Sequence, residues 1–216
     1  GRRSAGARRR GGFARLTKPD RIPAVILAGG ASRRMGEDKA MLAFGGGTLL
    51  SHALTRISSQ SGPVVISRHD GAMAEFAGAP VVTDGGGEHN GPLSGILSAL
   101  RHFEGGSASH IASIAVDTPF FPADFVDRLA AAAPTPNEII AARSNDRVHP
   151  VFALWPLLLA DDLAAWFAGG NRRLMSFLER HPHRFVDFEM TGDSDPFFNI
   201  NTPEELEQAR IRLGAD

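Results

Sequence analysis

The sequence predicts an α/β fold in which a mostly parallel sheet is covered by helices on both faces. Three observations predict it. Short β-branched runs alternate with longer amphipathic stretches along most of the 216 residues. The first run, Ile22-Pro23-Ala24-Val25-Ile26-Leu27, is apolar throughout, as a strand buried on both faces requires. It then stops abruptly at Ala28-Gly29-Gly30, and ligands of such sheets collect at the carboxyl ends of the strands.

Taken in order, the strand candidates are 22–27, 63–67, 80–83, 110–116, 138–142, 151–154 and 184–188. The amphipathic stretches between them predict helices over 48–60, 93–103, 123–132, 156–167, 172–180 and 203–213. The last has the clearest start signal: Thr202 is a capping hydroxyl, Pro203 suits the first helical position, and Glu204 and Glu205 lie where the helix dipole favours acids. No internal repeat is present. The glycine clusters Gly45 to Gly47 and Gly85 to Gly87 read as mobile loops.

Charge divides the chain into an arm, 1–21, and a body, 22–216, read as one domain. The formal charge of −1 averages an arm of +7 with a body of −8. The arm is polar, rich in Gly and Arg, and lacks the apolar stretch of a secretory signal, so it is expected to be a disordered extension. A nucleic-acid or transit role is the other reading of it. A chain without cysteine holds no disulfide, thiolate metal site or cysteine nucleophile. Its apolar runs fall short of the roughly 20 residues needed to span a bilayer, so a soluble, cytoplasmic protein is expected.

The most informative segment is the loop after the first strand, LAGGASRRMGEDK, residues 27–39. Glycines there let backbone amides approach an anion, while Arg33, Arg34 and Lys39 offset phosphate charge. Its spacing matches neither a Walker loop nor a dinucleotide fingerprint. The full string resembles the signature of the nucleotidyltransferases that activate sugars, isoprenoid precursors and molybdopterin. Within that group it is most similar to the molybdenum cofactor guanylyltransferase family. The resemblance continues through Asp84, Gly91-Pro92-Leu93-Ser94-Gly95, Val116-Asp117-Thr118-Pro119, His149-Pro150, Asn171-Arg172-Arg173 and Phe198-Asn199-Ile200-Asn201-Thr202-Pro203, leaving the arm outside.

A Rossmann-like nucleotidyltransferase fold is what this resemblance implies, with GMP passing from GTP to molybdenum-carrying molybdopterin and pyrophosphate released. It assigns Arg34, Lys39 and Asp117 to catalysis, with Asp117 as the Mg²⁺ ligand. Nucleotide contacts fall on Leu27, Ala28, Gly29, Gly30, Lys39, Ser67, Asp84, Gly91, Pro92 and Asp117, and molybdopterin contacts on Arg173, Asn199 and Asn201. One carboxylate at a strand end suits magnesium, which fills its shell with water and substrate phosphates. Arg172 and Arg173 stand at the start of the 172–180 helix, the end where a dipole disfavours cations, so an anion is expected nearby. His149 is read equally as a substrate contact or a structural residue, and His181-Pro182-His183 as structural, without further ligands at zinc spacing.

Two departures stand out. Gly45-Gly46-Gly47-Thr48 lacks the lysine many family members carry there, and Ser67 replaces a frequent asparagine. Gly29 favours guanine over cytosine, because cytidine-specific relatives usually read AAG at this point. A cytidylyltransferase, a sugar-phosphate nucleotidyltransferase or a non-catalytic GTP-binding module of the same fold are the alternatives. Expected partners are GTP, molybdopterin, molybdenum-insertion proteins and chaperones of molybdenum enzymes, with no nucleic acid or membrane, for a monomer.

Overall fold

In the computed structural model, which describes residues 21–29, 38–69, 73–83, 91–132, 134–190, 192 and 194–215, the first strand lies near the middle of an eight-stranded sheet. That strand, β1 (Ala24–Leu27), is flanked on one side by β4 (Val64–Arg68), β6 (Ala79–Thr83) and the short edge strand β5 (Glu75–Phe76). On the other side come β7 (His110–Ala115), β9 (Arg147–Pro156), β8 (Ile139–Ser144) and β10 (His183–Asp187). Strands β7, β1, β4 and β6 are parallel, as is the β8 and β10 pair, while β9 runs antiparallel to both of its neighbours. The mostly parallel sheet is therefore confirmed, with β9 reversed inside it.

Alternation along β1 explains why it is apolar throughout. Ala24 and Ile26 pack into one core with α1 (Leu49–Ser58), α3 (Phe125–Ala131) and α6 (Pro203–Ala215). Val25 and Leu27 pack into another with α2 (Gly91–Phe103), α4 (Ala160–Ala168) and α5 (Leu174–Leu178). Truncating a residue such as Ile26, fully buried between these layers, to alanine costs about 2–5 kcal/mol.

Helix starts follow local chemistry. Thr48 and Ser51 form a reciprocal capping box at α1, with the Ser51 N–H on Thr48 Oγ1 at 3.1 Å and the Thr48 N–H on Ser51 Oγ at 2.8 Å. Thr202 caps α6 as predicted, accepting from the Glu205 N–H at 3.2 Å while Glu205 Oε2 accepts from the Thr202 N–H at 2.9 Å.

Four sequence expectations are corrected. Gly45 to Gly47 is no loose loop: Gly45 and Gly46 have φ of +57° and +77° and close a hairpin between β2 (Ala43–Phe44) and β3 (Gly47–Thr48). Gly85 to Gly87 lies outside the described residues. The 151–154 strand begins earlier, at Arg147, in a stretch where charged residues and Pro150 hide the strand pattern. The 156–167 helix opens with a 3-10 turn, Leu157–Leu159, before α4. The 172–180 helix shrinks to α5, so Arg172 does not open it. Instead Arg172 lies 3.7 Å from the centre of the Phe167 ring and donates to the Phe167 carbonyl at 2.6 Å, satisfying the end of α4.

The β8–β9 hairpin has two details that shape the site. Asn145 and Asp146 form its tip with φ of +46° and +60°, which a type I′ turn requires. Further along, Ala141 pairs with Ala153 but Ala142 pairs with His149, so Pro150, Val151 and Phe152 bulge out of the ladder. The buried Ser113 holds this bulge, donating to the Val151 carbonyl at 2.5 Å and accepting from Trp155 Nε1 at 2.8 Å.

Candidate active site

The carboxyl ends of β1 and β7, the amino end of α2 and the start of β9 enclose a cleft of about 610 Å³, within the range of small-ligand sites. Leu27, Ala28 and Gly29 form part of its floor. Because β9 is reversed, its amino end lies at the same rim as the carboxyl ends of the parallel strands. Its bulge turns consecutive residues from Arg147 to Phe152 toward the cleft.

Asp117 follows the end of β7 and is tied down on several sides. Its carbonyl accepts from the Ile200 N–H at 2.8 Å, which draws the segment before α6 onto the strand end. Its carboxylate Oδ2 receives Lys39 Nζ at 2.9 Å, and the same ammonium donates to Asn201 Oδ1 at 3.2 Å. Thr118, fully buried, donates to Asn199 Oδ1 at 2.5 Å. His52 reaches the Pro119 carbonyl through Nε2 at 3.0 Å and braces the turn that follows; burial holds the His52 imidazole below its ordinary pKa.

Lys39 is aimed by its neighbours. Asp38 caps a 3-10 turn, Lys39–Met41, by accepting from the Ala40 N–H at 3.2 Å. The other Asp38 oxygen accepts from Arg68 Nη2 at 2.6 Å, at the end of β4. Both acids of this region line the cleft, but Asp38 also caps the turn and pairs with Arg68, whereas Asp117 pairs with Lys39.

The amino end of α2 reaches the opposite wall. Gly91, at φ +62°, and Pro92 line the cleft. Gly95 permits a close approach: a Cβ there would lie 2.6 Å from Leu27 Cδ2 and from Ser67 Oγ. Ser67 itself is buried beneath this contact rather than in the cleft wall.

Of the predicted site residues, Leu27, Ala28, Gly29, Lys39, Gly91, Pro92, Asp117 and Asn199 line the cleft, and Asn201 joins them through Lys39. Asn199 and Asn201, assigned at first to the pterin side, both converge on the Asp117 strand end. Arg173 is exposed and outside the lining, although the Arg172 carbonyl lies 4.0 Å from the Cβ position of Gly91. Gly30, Arg33, Arg34 and Asp84 lie outside the described residues. Sequence reasoning missed Asp38, His69, Arg147 and Phe152 as cleft residues. Asp38 was adjacent to Lys39 in the quoted loop, and His69 follows a recognised strand; the β9 residues were hidden by the bulge.

Among the described residues no group of three or more His, Asp or Glu side chains forms a metal cage. The donors present are hard oxygens, the Asp117 carboxylate with the nearby Asn199 and Asn201 carbonyls. This suits a cation that keeps most of its shell for water and phosphate. No helix among the described residues is long and apolar enough to cross a membrane.

A mostly parallel sheet with a glycine-rich sequence after its first strand, a lysine paired with a carboxylate at a strand end and a helix start on the same cleft is the arrangement of a nucleotidyltransferase. The chain belongs to the MobA-like NTP transferase family, whose domain profile matches residues 24–185. A molybdenum cofactor guanylyltransferase of Rhizobium meliloti (strain 1021) is 46% identical over 199 residues, covering 88% of this chain and 91% of that protein. A molybdopterin-guanine dinucleotide biosynthesis protein A from Archaeoglobus fulgidus superposes with a TM-score of 0.74 at 24% identity, covering 90% of this chain and all of that one. A Mycobacterium tuberculosis protein solved with manganese has the same fold, with a TM-score of 0.61 at 19% identity over 88% of this chain and 98% of that one.

Proposed function

We propose that this enzyme transfers GMP from GTP to molybdenum-carrying molybdopterin. The observation that carries the reading is the convergence of Lys39, Asp117, Asn199 and Asn201 on one end of the cleft, together with relatives named for this activity. A terminal phosphate oxygen of molybdopterin attacks the α-phosphorus of GTP. The bond from that phosphorus to the bridging oxygen breaks as a new P–O–P link forms, and pyrophosphate departs. The attacking oxygen is already ionised, so the chain contributes position and charge rather than a proton acceptor.

Lys39 exchanges its Asp117 contact for the β- and γ-phosphates of GTP, keeping its ammonium paired throughout, and Arg34 shares that charge. Asp117 is the residue that would hold Mg²⁺, which when bound would supply further neutralisation of the phosphates. Gly29, Gly30 and the first amides of α2 hold the nucleotide, with Leu27, Ala28, Ser67 and Asp84 shaping its base site and Asn199 and Asn201 fixing the strand end. Arg173 lies on the acceptor side. Residues 22–216 form the catalytic domain in this reading. A protein that begins near Pro19 should keep its activity, and loss of activity would assign the basic arm a part in the reaction.

Incubating the protein with molybdenum-carrying molybdopterin, Mg²⁺ and each nucleoside triphosphate, while following pyrophosphate, tests the reading. Turnover with GTP supports it. Turnover with CTP alone would make the protein a cytidylyltransferase, and nucleotide binding without pyrophosphate release would make it a binding module.

A further inference from the structure

A polar triad at the β9 wall, with Ser144 and His149 buried and Asp195 partly exposed, takes no part in the chemistry just described. Ser144 Oγ lies 2.7 Å from His149 Nε2 and donates to Asp195 Oδ1 at 2.8 Å, and that same carboxylate oxygen accepts from the Phe197 N–H at 2.8 Å. Ser144 is 1% exposed and His149 8%. The His149 ring stacks on Phe197 with centroids 4.6 Å apart, above a cluster of Phe125, Phe152 and Phe188.

Proton accounting within the triad has one solution. A serine hydroxyl has a single proton, and a carboxylate only accepts. With that proton donated to Asp195, Ser144 Oγ is an acceptor toward His149, so Nε2 carries the ring proton. Nδ1 then bears a lone pair. It has no hydrogen-bond partner among the described residues, is not sealed from solvent, and belongs to a residue that lines the cleft. Burial also keeps the imidazole neutral by lowering its pKa, against the opposing pull of Asp195.

We propose that Ser144 and Asp195 are positioning residues that hold His149 as the Nε2–H tautomer, making Nδ1 a fixed hydrogen-bond acceptor on the β9 wall that receives an N–H from the pyrimidine edge of the pterin substrate. This rests on the guanylyltransferase reading. A pterin suits the position because its amino and lactam N–H groups are donors on a flat ring. An acceptor that the bound substrate covers discriminates strongly, since a substrate lacking the donor would cut it off from water and leave it unpaired.

Two measurements test this. In ¹⁵N-labelled protein without substrate, long-range ¹H–¹⁵N correlation should show the His149 ring protonated at Nε2 and bare at Nδ1. Ser144→Ala should mix the tautomers, whereas Ser144→Thr, which keeps the hydroxyl, should not. In steady-state assays His149→Phe, which retains the stacking on Phe197, should raise KM for molybdopterin about tenfold or more with KM for GTP unchanged. His149→Asn, whose amide oxygen falls near the place of Nδ1, should recover part of the loss. A wild-type ring protonated at Nδ1, or equal rises in both KM values, overturns the proposal. If circular dichroism shows that His149→Phe does not fold, the Ser144→Ala and Ser144→Thr pair decides by the same KM comparison. Wild-type protein that releases no pyrophosphate from GTP and molybdopterin refutes the underlying reading and the pterin as ligand, and the tautomer measurement then decides the lock alone.

Discussion

The two walls of the cleft hold their polar groups in opposite ways. On one side, Lys39 and Asp117 are a cation and an anion with 17% and 22% of their side chains exposed, each the other's partner at 2.9 Å. On the β9 side, Ser144, His149 and Asp195 are linked by hydrogen bonds, and the His149 ring lines the cleft while stacked on Phe197. The first arrangement can be exchanged, because phosphates compensate Lys39 as well as Asp117 does. The second is preorganised, because changing any one proton position leaves a buried group unsatisfied. The difference teaches that one cleft can pair movable charge at one end with fixed hydrogen-bond direction at the other.

The comparison breaks most visibly at the charged wall. Asp117→Ala should lower turnover by about a hundredfold or more, the scale seen when one aimed electrostatic contact is lost, while thermal melting shows a folded protein. Full activity in that variant removes Asp117 from the metal role. Lys39→Met should cost about tenfold to a hundredfold in kcat/KM for GTP and far less in KM for molybdopterin. In a double-mutant cycle with Asp117→Ala the effects should not add, because the two groups share one charge balance.

A smaller effect sharpens the boundary between the walls. Gly95→Ala pushes a methyl group against Leu27 and Ser67 and should destabilise the fold by about 1–3 kcal/mol in urea titration. Displacing the start of α2 should also weaken GTP binding more than pterin binding. Smallest is the response to pH. Burial lowers the pKa values of His52, His110 and His149 from the ordinary 6.5. The unfolded chain therefore takes up these protons first, and stability is full above pH 6.5 and declines as pH falls below it. Tm should drop by a few degrees between pH 7.5 and 5.5, and a constant or rising Tm contradicts neutral buried histidines.

How much of this was legible in the sequence depends on whether the signal was local. The apolar β1, Asp117 at a strand end and the Thr202 cap are properties of short windows, and each stands where the sequence put it. The reversal of β9 was not legible, since direction is set by which strands pair and not by which residues a strand contains. Pro150 concealed the strand further by breaking its apolar run. Arg172 misled for a related reason: a cation beside a helix start in sequence turned out to serve the carbonyls of the preceding helix. Asn199 and Asn201 stand out in the sequence as a pair spaced two apart, but their place beside Asp117 comes from the Ile200 to Asp117 backbone bond across 83 residues of chain, which no window contains.

The reversed β9 also separates the cleft into two stretches of chain. The wall that carries Lys39 and Asp117 is supplied mainly by residues up to Asp117, and another part of the lining by a hairpin that starts at β8 and closes at Asn145 and Asp146. A two-residue tip can be lengthened, shortened or recharged while the parallel strands keep their register. Changes at that tip are therefore separated in the chain from the strand ends that hold Lys39 and Asp117 in place.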